Sequence, residues 1–150
     1  MTSKLAVQDF MAQRSLAIVG ASRSGRKFGN LVLKTLRAKG CQVWPIHPHA
    51  EALEGVRCYP DLLSLPQAVQ GVVIVVPPAE TEKVVRQAAA AGIRRVWMQQ
   101  GAESHAAIQF CRENGLSEVH GECILMFARP LTSVHWLHHW LWKVLGKLPQ

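Results

Sequence analysis

Between Ser15 and Gly29 the chain reads SLAIVGASRSGRKFG. An apolar run, Leu16-Ala17-Ile18-Val19, meets Gly20, then a turn of small residues, then a stretch that forms a helix. A buried strand, a glycine turn and a helix N-terminus together hold phosphate, because backbone N–H groups and the helix dipole converge there. The spacing is that of the fingerprint G-x-G-x-x-G, with Gly20 first, Ser22 in the middle and Gly25 last. Gly20 permits the tight turn and Ala21 continues it. Ser22, Arg23 and Ser24 supply hydroxyl and guanidinium donors, and Lys27 adds a cation near the helix start. Serine in the middle position keeps a ligand slightly farther from the backbone and offers its own hydrogen bond. A nucleotide-containing ligand is expected, and the serine argues against ordinary NAD; the alternative is a structural turn that binds nothing.

The end of the second strand discriminates between nucleotides. NAD sites place an Asp or Glu there to hold the ribose hydroxyls. This chain has Pro45-Ile46-His47-Pro48-His49, with no carboxylate before Glu51. Histidines favour a ribose that carries a phosphate, which means NADP or the adenosine 3′-phosphate of coenzyme A. The alternative is a loop stiffened by proline, with both imidazoles in solvent.

Apolar strands and helical segments alternate along the chain. Strands are predicted over about Leu16–Ala21, Gln42–His47, Gly71–Val76, Arg95–Gln100 and Glu118–Gly121. Helices are predicted over about Lys27–Lys39, Ala79–Ala91, Glu103–Asn114 and Leu131–Leu145, with a helical turn near Asp61–Leu65. Gly40 and Gly92 stand where helix C-caps belong. The alternation predicts an α/β fold: a Rossmann-like open parallel sheet of five strands with helices on both faces, three layers αβα. The expected strand order is 3-2-1-4-5, with the crevice at the C-terminal ends of strands one and two. That edge gathers Gly20–Gly25, His47–His49, Val76–Pro78 and Gln99–Gly101.

The length, 150 residues, fits a single domain spanning 1–150. No stretch is apolar enough to span a bilayer and the N-terminus lacks a signal-peptide pattern, so a cytoplasmic protein is expected. Four scattered cysteines (Cys41, Cys58, Cys111, Cys123) read as free thiols rather than a zinc ribbon or disulfide framework. The net charge of +7 is localised: residues 1–50 hold eight Lys/Arg against one acid, whereas residues 51–150 hold nine of each sign. Such a bias suits a small polyanion. Nucleic acid is not expected, since no RNP-like aromatic pattern, recognition helix or basic run is present. Lys34, Arg37 and Lys39 read as a solvated helix face; Arg23, Arg26 and Lys27 lie in the turn itself.

Taken in order, VGAS, RKFGNLVLKTLRAKG, PIHPHAEALEG, VVIVVPPAETEKVV, GIRRVWMQQGAES and HGECILMF resemble the small stand-alone CoA-binding proteins of bacteria. These are similar to the CoA-binding domain of the succinyl-CoA synthetase alpha subunit, and the resemblance covers about residues 10–130. It implies a phosphate loop at Ser22, Arg23, Ser24 and Gly25, and strand-end contacts at Pro45, His47 and His49. It also implies adenine or pantetheine contacts at Val76, Pro77 and Pro78, and a fourth-strand contact at Met98, Gln99 and Gln100. Where relatives usually read Asn-Pro-Lys after strand two, this chain reads His47-Pro48-His49. The cation facing the CoA phosphates would then be a histidine, partly charged at neutral pH, and affinity would depend on pH.

The synthetase's phosphorylated histidine belongs to a second domain that this sequence does not contain, and no Ser/His/Asp set or carboxylate pair stands out. Cys123 could form a mixed disulfide or accept an acyl group; the alternative is a small buried hydrophobe. His120, Cys123, His135, His138 and His139 have metal-ligand types but no zinc spacing, and no metal is expected. The 131–150 segment carries Trp136, Trp140 and Trp142 on a helix apolar on more than one face. It reads as core packing, as a homodimer contact or as a membrane-surface element, with no integral membrane span. The leading expectation is non-catalytic binding of coenzyme A or an acyl-CoA. Its competitors are an NADP-linked or acyl-transfer enzyme using the same cleft, and an interaction domain with a vestigial cleft.

Overall fold

A computed structural model describes residues 2–128. In chain order it has α1 (Lys4–Met11), β1 (Ser15–Val19), α2 (Phe28–Ala38), β2 (Gln42–Ile46), β3 (Ala52–Leu53), β4 (Val56–Arg57), a 3-10 turn (Leu62–Ser64), β5 (Gly71–Ile74), α3 (Pro78–Ala90), β6 (Arg95–Met98), α4 (His105–Glu113), β7 (Ser117–Val119) and α5 (Leu125–Ala128). The predicted Trp-rich helix, and any dimer contact through it, lie outside the described residues.

Five strands form one parallel sheet, sandwiched between two helical layers. On one face Val7 and Phe10 of α1, Val32, Leu33 and Leu36 of α2 and Leu125 of α5 pack on Leu16, Ile18, Val73 and Trp97. On the other, Val84, Val85 and Ala88 of α3 and Ala107 and Cys111 of α4 cover Ala17, Val72, Ile74, Val96 and Met98. Alternate residues of β1 and β5 therefore enter opposite cores, as period-2 side-chain geometry requires.

The strand order corrects the expected one. It is β2-β1-β5-β6-β7, or 2-1-3-4-5 counted along the chain, not 3-2-1-4-5. The cause is written in two strands. Gly71–Ile74 is buried at all four positions and takes the place beside β1, where both faces are covered. Gln42–Ile46 contains Pro45, which has no N–H to give a ladder and is tolerated at a sheet edge. The Pro45 carbonyl accepts from the Tyr59 N–H at 3.1 Å, so its missing donor faces the outer edge rather than β1.

Besides the four-residue α5, two features fall outside the sequence expectation. α1 is an eight-residue helix capped by Ser3, whose Oγ accepts from the Ala6 N–H at 3.0 Å. The Phe10 ring meets the Trp97 ring edge-on, 5.4 Å between centroids. The β3–β4 hairpin turns through Glu54 (φ 50) and Gly55 (φ 74), the pair of positive φ values a two-residue hairpin needs. The register Val19↔Ile46, Val19↔Ile74 and Ile74↔Met98 ends the strands in line, so their C-terminal loops share one edge. With this order the topological switch falls between β1 and β5, and the crevice opens there.

Candidate anion-binding site

The loop leaving β1 is pressed against the end of β5. Gly20 has φ +125, and a Cβ there would stand 2.2 Å from the Val75 carbonyl oxygen. No other residue fits. Gly29, in the first turn of α2, is equally constrained: its Cβ would come within 2.6 Å of the Gly20 oxygen and 2.8 Å of the Ala21 nitrogen. Gly29 thus supplies the close helix–strand packing that the fingerprint assigns to its last glycine. The sequence reading placed Gly25 in that role. Gly25 instead closes the turn at φ +72, donating its N–H to the Ser22 carbonyl at 3.2 Å. A glycine at the second position of the helix, beside Phe28, was the available signal.

Asn30 was not singled out from sequence, yet it holds the loop. Its side chain is buried, with Oδ1 accepting from the Ser22 N–H at 2.9 Å and Nδ2 donating to the Ser22 carbonyl at 2.8 Å. Nδ2 also reaches Glu54 Oε1 at 3.1 Å. The Ser22 and Ser24 hydroxyls lie 2.8 Å apart, and the Arg26 N–H donates to Ser24 Oγ at 3.3 Å.

The clamp leaves donors without partners within the loop. Among the described residues the backbone amides of Arg23, Ser24 and Lys27 have no hydrogen-bond partner. Lys27 stands at the N-cap of α2 and brings no capping acceptor. Arg23, Arg26 and Lys27 are exposed, and none has an ion-pair partner among the described residues. Unpaired amides, an uncapped helix start and three cations are the complement of a phosphate.

His47 is an acceptor here rather than a cation. Its Nδ1 takes the His49 and Ala50 N–H groups, each at 3.0 Å, and so folds the 47–50 loop. Its pKa is lowered, first by burial and then by the charges of Arg23, His49 and Lys27. Both facts favour the neutral ring, and His47 serves the loop as an acceptor. The charges of Arg23 and Lys27 are felt at the His47 ring. His49 is exposed, its ring 6.3 Å from that of His47. Pro45 is buried within β2, one residue short of the strand end. A carboxylate does approach the loop, that of Glu54, but Asn30 and Lys34 (Nζ–Oε2, 3.4 Å) engage it, which leaves it poorly placed for ribose hydroxyls.

Across the switch point, Val76 is half-buried and Pro77 and Pro78 are exposed at the start of α3. They flank the loop because Val75 donates to the Val19 carbonyl at 2.8 Å. Met98 is fully buried in the core. Gln99 is buried too, its Oε1 accepting from the Ile124 N–H at 3.1 Å. Gln100 is exposed, while its N–H donates to the Glu122 carbonyl at 3.2 Å. The structure thus sets Gly20–Lys27, His47, His49 and Val76–Pro78 along one sheet edge and leaves the Met98 and Gln99 side chains inside.

The described thiols are free and buried. Burial pushes the Cys111 pKa up to about 12, with the Glu118 charge adding, and raises that of Cys58. Among the described residues no three His, Cys, Asp or Glu side chains group as metal ligands, and no helix is long and apolar enough to cross a membrane.

The family model described as CoA binding domain matches residues 14–129, and the chain belongs to that family. It is 30% identical over 90 residues to an ADP-forming acetate–CoA ligase of Archaeoglobus fulgidus, and 31% identical over 81 residues to one of Methanocaldococcus jannaschii. The matches cover 59% and 54% of this chain but only 13% and 12% of those ligases. Among solved structures it resembles a conserved hypothetical protein of Pyrococcus furiosus at 38% identity and TM-score 0.72, covering 76% of this chain and 98% of that one. It also resembles a dinucleotide-forming acetyl-coenzyme A synthetase of Ca. Korarchaeum cryptofilum at 25% identity and TM-score 0.66, covering 75% of this chain and 27% of the synthetase.

Proposed function

We propose that this chain binds coenzyme A or an acyl-CoA, with the Gly20–Lys27 loop and the start of α2 taking the phosphates. The carrying observation is the donor set: among the described residues the Arg23, Ser24 and Lys27 amides have no hydrogen-bond partner, and the exposed Arg23, Arg26 and Lys27 have no ion-pair partner. CoA presents a diphosphate and a 3′-phosphate, and such groups gain most where preorganised N–H donors and fixed cations replace water. An acyl-CoA carries its acyl group as a thioester on the CoA thiol. Val76, Pro77 and Pro78 offer an apolar rim for the adenine or pantetheine portion.

The proposed role is binding rather than catalysis. Cys111 stays a thiol at neutral pH and the raised pKa of Cys58 disfavours its thiolate. The groups facing the crevice are donors and cations, suited to holding an anion and not paired for acyl transfer. Family membership and the identity to CoA ligases support the ligand.

Calorimetric titration of the purified chain with CoA, acetyl-CoA, NAD and NADP tests this reading. Micromolar binding of CoA or acetyl-CoA, lost when Ser22→Ala and Arg23→Ala are combined, is the expected result. Heat with NADP and none with either CoA species would overturn it.

A further inference from the structure

The Ser22 peptide is gripped on both sides by one side chain. Asn30 Oδ1 faces the Ser22 N–H at 2.9 Å and Asn30 Nδ2 faces the Ser22 carbonyl at 2.8 Å. The orientation of the amide follows, since a flip would oppose two donors and two acceptors. The second Nδ2 hydrogen leads to Glu54 Oε1, 3.1 Å away on the β3–β4 hairpin. Glu54 is in turn held from α2: Lys34 Nζ is 3.4 Å from Oε2, and Arg37 Nη1 donates to the Glu54 carbonyl at 3.2 Å. Its backbone sits at φ 50, a conformation L-residues with a Cβ adopt at a cost. Glu54 Oε1 also lies 3.4 Å from where a Cβ on Gly25 would be, so the carboxylate stands directly behind the loop.

We propose that Asn30 and Glu54 form a latch that positions the Ser22–Gly25 loop, so that the β3–β4 hairpin sets the affinity for an anionic ligand through the loop rather than by contact of its own. The inference rests on the phosphate-binding reading above and assigns that site its two positioning residues. Asn30 is buried and Glu54 is mostly so, its side chain 19% exposed, which lets the pair act in low dielectric. A negative charge behind the loop also offsets Arg23, Arg26 and Lys27 in the ligand-free state.

The test is a double-mutant cycle on the full chain: wild type, Asn30→Asp, Glu54→Gln, and both together. Each protein is titrated with CoA, and the amide hydrogen exchange of Ser22 and Gly25 is read without ligand. Asn30→Asp loses the donor to the Ser22 carbonyl and sets two carboxylates against each other. CoA affinity should fall about tenfold or more and Ser22 exchange should quicken. Glu54→Gln keeps an acceptor and should change affinity by less than about threefold. In the double variant the glutamine amide can donate to the new carboxylate, and at least about threefold of the lost affinity should return. Strict additivity, or an Asn30→Asp protein that binds CoA and protects Ser22 as wild type does, would overturn the latch. Should Asn30→Asp fail to fold, Glu54→Ala is the second variant. It should weaken CoA several-fold and quicken Ser22 exchange, and unchanged values of both would overturn the proposal. If wild type binds no CoA while Ser22 exchange still shows the coupling, the latch stands and the phosphate-binding reading falls.

Discussion

Two halves of the same sheet edge are built from similar residues and reach opposite states. Beyond β1 and β2, the loop keeps donors unpaired among the described residues: the Arg23, Ser24 and Lys27 amides have no partner, and Arg23, Arg26 and Lys27 are exposed. Beyond β6 and β7 the polar groups satisfy one another. Gln99 Oε1 takes the Ile124 N–H, and the Glu122 carbonyl takes both the Gln100 N–H and Trp97 Nε1. Gly101 N–H reaches Glu103 Oε2 at 2.8 Å, and Thr81 Oγ1 donates to the Ala102 carbonyl at 2.6 Å. The topology selects the edge. Hydrogen-bond satisfaction is why we propose the first half as the ligand site, because a paired donor must be stripped before it can bind anything.

The sharpest way to break this comparison is at the glycines. Gly20→Ala drives a Cβ into the Val75 carbonyl, and Gly29→Ala does the same to the Gly20 peptide. Each should cost about 3 kcal/mol or more in denaturant unfolding and abolish CoA binding. Gly92→Ala, at φ +77 with nothing within 4 Å, should cost only about 1 kcal/mol and leave binding intact. Next comes charge. Replacing Arg23 and Lys27 together by alanine should weaken CoA by about 10- to 100-fold, with stability unchanged within about 0.5 kcal/mol. The mirror experiment is Gln99→Leu, which strands the buried Ile124 N–H. It should lose about 1–3 kcal/mol of stability while CoA affinity stays within about threefold. Loss of affinity without loss of stability there would erase the distinction between the halves.

The smallest expected effect concerns His47. Its pKa lies below the ordinary 6.5, so on acidification the unfolded chain takes up the proton first. The stability this contributes is complete above pH 6.5 and is lost as pH falls through the folded value. His47→Asn can accept the same two N–H groups without titrating, so its unfolding midpoint should decline less than that of wild type from pH 7 to pH 5. Parallel declines would show that Nδ1 does not hold the loop.

Much of this was legible in the sequence, and the misses have identifiable causes. Strand–helix alternation conveys the three-layer fold, since apolar periodicity is a local property. Strand order is not local, although Pro45 within the second strand already marked it as an edge. Gly20 was legible because its turn is local. Gly29 was not recognised because its partner, the Gly20 peptide, is met only once α2 packs back on β1. Asn30 was invisible for the same reason: its partners are Ser22 and Glu54, the latter on a hairpin two residues per strand long that periodicity cannot resolve. The family resemblance implied a contact at Gln99, and only the tertiary structure reveals that its amide oxygen already engages Ile124.

The most direct test of the account is residue-resolved. CoA titrated into uniformly 15N-labelled protein should shift the amides of Arg23, Ser24, Gly25, Lys27 and Gly29 most, followed by His49 and Val76, with Gln99 and Ile124 nearly still. Saturable shifts centred on Gln99–Gly101 and His120–Ile124, with the Arg23–Lys27 amides unmoved, would contradict it.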